Sequence, residues 1–304
     1  MTERARTVFL GSGSFAVPIA EALAGHPSVD LAAVVTLPTR VGSRGRPTDP
    51  PVARWASARA IPMLRPVRLS APESVAELAA LAPELLVLAD YGQIVPQNVL
   101  DLPTHGALNV HPSLLPRYRG AAPIPAAILA GDAKTGVTLM LMDAGLDSGP
   151  IVAQSDRMLA GSETAPDLEE RLARDGAELL AAHLAAWLAG DISPQPQDES
   201  GITLTRPLRR SDGLLDPART AAELERQVRA YQPWPGSFVE TNAGRLVVWQ
   251  AHVAEDELTS GLSLGTADGL LHLDEVQLAG GRRMSGAELL RGRPTLQPTT
   301  SSSA

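Results

Sequence analysis

The chain has 304 residues, 44% hydrophobic and 3% aromatic, which favours two domains over one and supplies aliphatic cores. It holds no cysteine, which excludes disulfides, a thiol nucleophile and thiolate-bound metal. A formal net charge of -8 argues against binding nucleic acid over the whole surface, since phosphate affinity needs local positive potential.

The opening MTERART is too polar to begin a secretory signal. No apolar run reaches the roughly 20 residues that cross a bilayer, so a cytoplasmic protein is expected. TVFLG reads as a strand, VPIAEALAG as a helix and VDLAAVVTL as a second strand. The intervening GSGSFA, residues 11 to 16, is a G-x-G-x-x-A turn and a weak dinucleotide signal. The second strand runs into VVTLPTR with no Asp or Glu to hold a ribose diol, which disfavours NAD. Arg40 or Arg44 could meet a 2′-phosphate, leaving an NADP enzyme as a minor alternative.

Arg40, Arg44 and Arg46 lie in the loop-like TRVGSRGRPTDPP; Lys134 is the only lysine in the chain. PPVARWASARA is a helix and PELLVLAD a buried strand, followed by ADYGQIVP. ALNVH is a further buried strand, in which Asn109 and His111, two apart, leave the same face. Pro112 cannot donate to a ladder, so the strand stops with His111 at its carboxyl end, where open parallel sheets bind ligands. Pro123 to Ala130 is predicted helical, GVTLMLM a strand, AGLDSGP a turn carrying Asp147, and APDLEERLARDGAELLAAHLAAWLAG a long amphipathic helix. Strands alternating with helices imply a parallel sheet. Taken alone, Asn109 is readable as a turn cap and Asp147 as an Asx-turn residue.

Residues 191 to 205, DISPQPQDESGITLT, have the composition of a linker. A helix over TAAELERQVRAYQ follows, then short alternating runs such as RLVVWQAHV and GLLHLDEVQL, the pattern of a small β-rich domain. PTLQPTTSSSA lacks core-forming residues and reads as a disordered tail. The boundaries expected are a catalytic domain over 1–190, a linker over 191–207, a second domain over 208–293 and a tail over 294–304.

LNVHPSLLPRYRGAAPI followed by TGVTLMLMDAGLDSG closely resembles the folate-dependent formyltransferases, and the branch acting on methionyl-tRNA. FLGSGSFAVPIAEAL and RAYQPWPGSFVE extend the resemblance to both ends of the chain. It implies an α/β fold, a Rossmann-like parallel-sheet formyltransferase domain followed by a small OB-like barrel that binds tRNA. It implies 10-formyltetrahydrofolate as formyl donor, initiator Met-tRNA as acceptor, no metal, no membrane, and a monomer. Asn109, His111 and Asp147 take the catalytic positions. Ser113, Leu114, Leu115 and Pro116 take the folate-contacting ones; Tyr91 and Gly92, in the ADYGQIVP that follows a buried strand, are expected to line the same pocket, with Gly92 permitting close backbone approach; and Arg40, Arg44 and Arg46 take those of a basic loop reaching the acceptor stem. Each catalytic residue type suits formyl transfer: a neutral amide donor for an oxyanion, an imidazole that titrates near neutrality, and a carboxylate beside it. The rivals are a formyltransferase for a small amine such as an amino-sugar nucleotide, and a catalytically silent RNA-binding protein.

Overall fold

A computed structural model describes residues 4–41, 47–254 and 261–297. The chain gathers into two compact units, one of residues 1–120, 134–157 and 169–204, the other of residues 121–133, 158–168 and 205–304.

The first unit opens with β1 (Ala5–Gly11), α1 (Ala16–Ala24) and β2 (Val29–Val35), then the short antiparallel pair β3 (Arg40–Val41) and β4 (Pro47–Thr48). α2 (Pro51–Ala58), β5 (Met63–Leu64), α3 (Pro72–Ala80), β6 (Leu85–Ala89), α4 (Gln97–Leu100), β7 (Ala107–His111) and β8 (Arg119–Gly120) follow. α5 (Pro123–Ala130) comes next in the chain, then β9 (Lys134–Leu141), β10 (Ile151–Met158), α6 (Ala165–Leu188) and β11 (Leu204–Thr205). α2, α3 and α5 each begin with a proline in the first turn, where its missing N–H costs nothing.

The main sheet has seven strands in the order β10-β9-β7-β6-β1-β2-β5. It is parallel from β5 through β7, as the alternation of strands and helices implied, and turns antiparallel at β9. Alternation along the sequence locates strands but does not state which way each one enters the sheet. All five residues of β6 are buried, and Val8, Leu10, Val35, Leu78, Leu86, Leu88 and Val99 share one core cluster. Each such side chain contributes about 1.5–3 kcal/mol on burial. Leu88 pairs with Asn109, so the carboxyl ends of β6 and β7 finish level with one another.

The second unit carries α7 (Ala221–Ala230), which opens on a reciprocal capping box between Thr220 and Glu223. β12 (Ser237–Thr241), β13 (Gly244–Val253), β14 (Ser263–Gly265), β15 (Leu270–Leu278) and β16 (Met284–Ser285) form a five-stranded sheet, and α8 (Gly286–Gly292) closes it. The described pairings are antiparallel, β12 to β13 to β15, with β14 and β16 both on β15. Its core holds Leu224, Val228, Leu246, Val248, Leu271, Leu273 and Val276. Leu296, inside the stretch read as a tail, is only 5% exposed in that core, and Asn242 donates its amide N–H to Gln297 O. Residues 298–304 of that stretch lie outside the described ones. No described helix is long and apolar enough to cross a membrane.

Candidate active site

Asn109 and His111 stand at the carboxyl end of β7, and Asp147 lies in the turn between β9 and β10. The fold brings the three together. Asp147 Oδ2 is 3.7 Å from His111 Nδ1, Oδ1 lies at a long 3.5 Å from Asn109 Nδ2, and Oδ2 accepts the Gly120 amide N–H at 2.7 Å. The imidazole is buried, and its Nε2 sits 3.0 Å from Tyr118 O. A carbonyl only accepts, so Nε2 carries the proton of neutral His111 and Nδ1 presents a lone pair toward Asp147. Burial depresses the imidazole's pKa, with the Asp147 charge and the Tyr118 carbonyl opposing in that order. His111 is therefore neutral at physiological pH and basic at Nδ1.

Three non-glycine residues of these loops adopt left-handed backbone: Asp90 at φ 44, Tyr118 at φ 61 and Asp147 at φ 47. Each such conformation costs on the order of 1–3 kcal/mol and persists only where the surroundings enforce it.

The Ser113 to Pro116 turn ends in a cis Leu115–Pro116 bond. Ser113 is fully buried and donates its hydroxyl to Arg117 O at 2.6 Å, so it braces the turn. Leu115 is buried, while Leu114 and Pro116 are half-buried. A residue that sequence reasoning passed over holds this turn: Thr138, which pairs with His111 across the sheet. Thr138 Oγ1 donates to Ser113 O at 2.7 Å and accepts from Leu115 N and Gln154 Nε2 at 3.1 and 2.9 Å. Thr138→Val is expected to cost about 1–3 kcal/mol in chemical denaturation, because it strands buried backbone groups; an unchanged unfolding midpoint would contradict this account of the turn.

Tyr91 and Gly92 follow β6. The Tyr91 ring belongs to the apolar core, 4% exposed, with a hydroxyl that has no hydrogen-bond partner among the described residues; burial raises its pKa to about 12. Its side chain therefore packs inward, and only the neighbouring backbone is open: Gly92 is exposed at φ 83. Arg40 forms β3 opposite Thr48, and Arg44 and Arg46 lie outside the described residues. The base of that loop is clamped by Asp49, which accepts from Thr39 Oγ1 and from Arg65 at 2.8 Å.

Asp90 is the second group that sequence reasoning passed over. It follows β6, level with His111, and Ser12 and Gly13 both donate backbone N–H groups to its carbonyl. A Cβ on Gly13 would come within 1.6 Å of Asp90 Oδ2, so only glycine leaves room for the carboxylate. Although the residue reaches solvent, desolvation and then the Glu169 charge raise its pKa to about 6. A carboxyl whose folded pKa exceeds its unfolded value weakens the fold once both states would ionise, and the penalty fades as pH falls through the folded pKa. Asp90→Asn is therefore expected to raise the thermal midpoint at about pH 8 and to lose that advantage toward about pH 4; a lower midpoint at the alkaline pH would refute it.

Among the described residues there is no group of three or more potential metal ligands. The sequence matches the model of the Formyl transferase family over residues 5–184 and that of the Formyl transferase C-terminal domain over residues 207–294. The chain belongs to the formyl transferase family. Relatives of this formyltransferase include the methionyl-tRNA formyltransferase of Halorhodospira halophila, 44% identical over 95% of this chain and 96% of that protein. That of Myxococcus xanthus is 41% identical over 97% and 98%. Among solved structures, HypX from Aquifex aeolicus in complex with tetrahydrofolic acid superposes with a TM-score of 0.66 at 18% identity, over 95% of this chain and 47% of that one. This formyltransferase thus spans about half the length of HypX. A sugar N-formyltransferase from Shewanella superposes at 0.61 and 18% identity, over 77% and 92%. These two likenesses show the fold.

Proposed function

We propose that this formyltransferase moves the formyl group of 10-formyltetrahydrofolate to the α-amino group of methionine on initiator methionyl-tRNA. The observation that carries the reading is Asp147 reaching His111 Nδ1 and Asn109 from the far turn, on a chain similar over nearly its whole length to methionyl-tRNA formyltransferases. When bound, the donor supplies an electrophilic formyl carbon and a nitrogen leaving group. Asn109 donates its amide to the formyl oxygen as that carbon becomes tetrahedral. His111 accepts the proton of the attacking amine at Nδ1, and the imidazolium so formed lies against Asp147. The same proton then serves the departing nitrogen, so formyl transfer is balanced without a metal.

Half-buried Leu114, with Pro116, Leu115 and the backbone from Tyr91 to Gly92, suits a flat pterin that needs apolar contact and main-chain hydrogen bonds; Ser113 supports them from beneath. Arg40, Arg44 and Arg46 contact the acceptor end of the tRNA. We assign catalysis to residues 1–190, with 191–207 connecting to a tRNA-binding, OB-like domain over 208–293, whose core also takes in Leu296 from the 294–304 stretch. The protein works as a monomer in the cytoplasm.

The test is transfer of labelled formyl from 10-formyltetrahydrofolate to charged initiator Met-tRNA, with uncharged tRNA, charged elongator Met-tRNA and an amino-sugar nucleotide in parallel. Labelling of the initiator alone supports the reading. Labelling of the sugar alone transfers the chemistry to a small acceptor, and no labelling removes it. Because burial depresses the pKa of His111, activity is expected to persist below the ordinary imidazole value of about 6.5. An acid limb of kcat/KM above that value would contradict a neutral, buried base.

A further inference from the structure

We infer that Gln197, from the Pro- and Gln-rich stretch after α6, is a positioning residue for Asp147, holding the aspartate's turn with its side-chain amide while Arg119 orients that amide. The inference rests on the functional reading above. Gln197 is 8% exposed. Its Nε2 donates to Asp147 O at 2.8 Å and to Gly149 O at 2.7 Å, which uses both of its N–H bonds. Its Oε1 accepts from Arg119 Nε and Nη2 at 3.0 and 2.8 Å. A guanidinium only donates, so it fixes which end of the amide faces the turn.

The next residue, Gly120, donates its N–H directly to Asp147 Oδ2 at 2.7 Å. Arg119 and Gly120 thus hold Asp147 twice, at its carbonyl through Gln197 and at its carboxylate directly. The turn needs such an anchor. Residues 143–146 are exposed, Leu146 at 60%, and Asp147 occupies the left-handed region at φ 47. Among the described residues, Asp143 bonds only within the turn, to Gly145 N and Ser148 Oγ.

The stretch that supplies Gln197 is itself tied down. Gln195 and Ile151 exchange backbone hydrogen bonds at 2.7 and 2.8 Å, Thr203 O accepts the Arg119 N–H at 2.9 Å, and Thr203 Oγ1 accepts the Tyr118 N–H at 2.7 Å. A group that acts through another must be separated from one that merely supports the fold. Charged groups on the elements about His111 include Asp147 and Asp143 from the turn, Arg117 from the loop after β7, Arg119 from β8, Lys134 from β9 and Asp90 at the end of β6. Of these, Gln197 bears on Asp147 and Arg119.

Two variants divide its contacts. Gln197→Met keeps the volume and removes every hydrogen bond; Gln197→Glu keeps an acceptor for Arg119 but cannot donate to the two carbonyls. Both are expected to lower kcat for formyl transfer about 10- to 100-fold, with the donor KM within about threefold. In a D147N background the same Gln197→Met change is expected to cost less than about threefold, because its route of action has already been removed. The imidazole titration of His111, followed by NMR, is expected to move to lower pH in both variants as the Asp147 carboxylate loosens. An unmoved titration, wild-type kcat, or an equal loss in the D147N background would overturn the inference. Should Gln197→Met fail to fold by circular dichroism, the Gln197→Glu variant carries the test. If the wild-type chain formylates no acceptor, the functional reading fails and the titration alone decides this one.

Discussion

Asn109→Ala is expected to lower kcat for formyl transfer by about 10²- to 10³-fold, with little change in the KM of either substrate. In the proposed role the amide meets negative charge that exists only as the formyl carbon becomes tetrahedral, and removing one preorganised donor from such a site costs about 3–4 kcal/mol of transition-state stabilisation. The amide is free for that task. Its contact with Asp147 is long, at 3.5 Å, so the side chain is oriented by the carboxylate without being consumed by it. Half-buried on β7, Asn109 contributes little core, and the variant should fold with an unchanged circular dichroism spectrum. A kcat within about threefold of wild type would remove Asn109 from the chemistry.

Gly149→Ala is expected to be the most destabilising single methyl in the catalytic sheet, costing about 3 kcal/mol or more and taking activity with it. A Cβ there would lie 1.9 Å from the Leu141 carbonyl oxygen and 3.0 Å from its carbon. Both obstacles are main chain, and Leu141 is pinned in turn because its N–H donates to Pro150 O. Neither side can yield without opening the base of the Asp147 turn. Gly265→Ala is the control: a Cβ at that position meets nothing within 4 Å, and the change should stay within about 0.5 kcal/mol. Thermal melts of the two variants side by side check this; equal midpoints would contradict the geometry at 149.

The residues that the sequence reading located well are those governed by short-range rules. β6 and β7 appear where continuous apolar runs predict them, and α5 spans Pro123–Ala130 as expected, its start set by proline and its end by Gly131 at φ 68. α3 was passed over although Pro72 and Glu73 mark its first turn, because only Leu78 of its nine residues is buried and the apolar stripe is thin. β10 was passed over because none of its eight residues is buried, which leaves no apolar face to read. Tyr91 shows a different limit. Reading it as part of a ligand pocket followed from its place after β6, yet its ring turns into the core, and which way a side chain turns beyond a strand end is settled by the neighbours it meets.

Gln197 marks the boundary most sharply. Its stretch has the composition of a linker, and nothing local distinguishes one glutamine there from another; its partners are the carbonyls of Asp147 and Gly149 and the guanidinium of Arg119. Hydrogen bonds from a side chain to distant backbone leave no periodicity to read. The sequence by itself determined the chemical inventory, an amide and an imidazole on one face of a strand because the side-chain period of a strand is two, and a carboxylate in a glycine-flanked turn. The tertiary structure decided that Asp147 meets them, that a Tyr118 carbonyl selects the tautomer of His111, and that burial and then the Glu169 charge raise the pKa of Asp90. Periodicity and capping act over a few residues, whereas the separation of groups tens of residues apart is set by how sheet and loops pack.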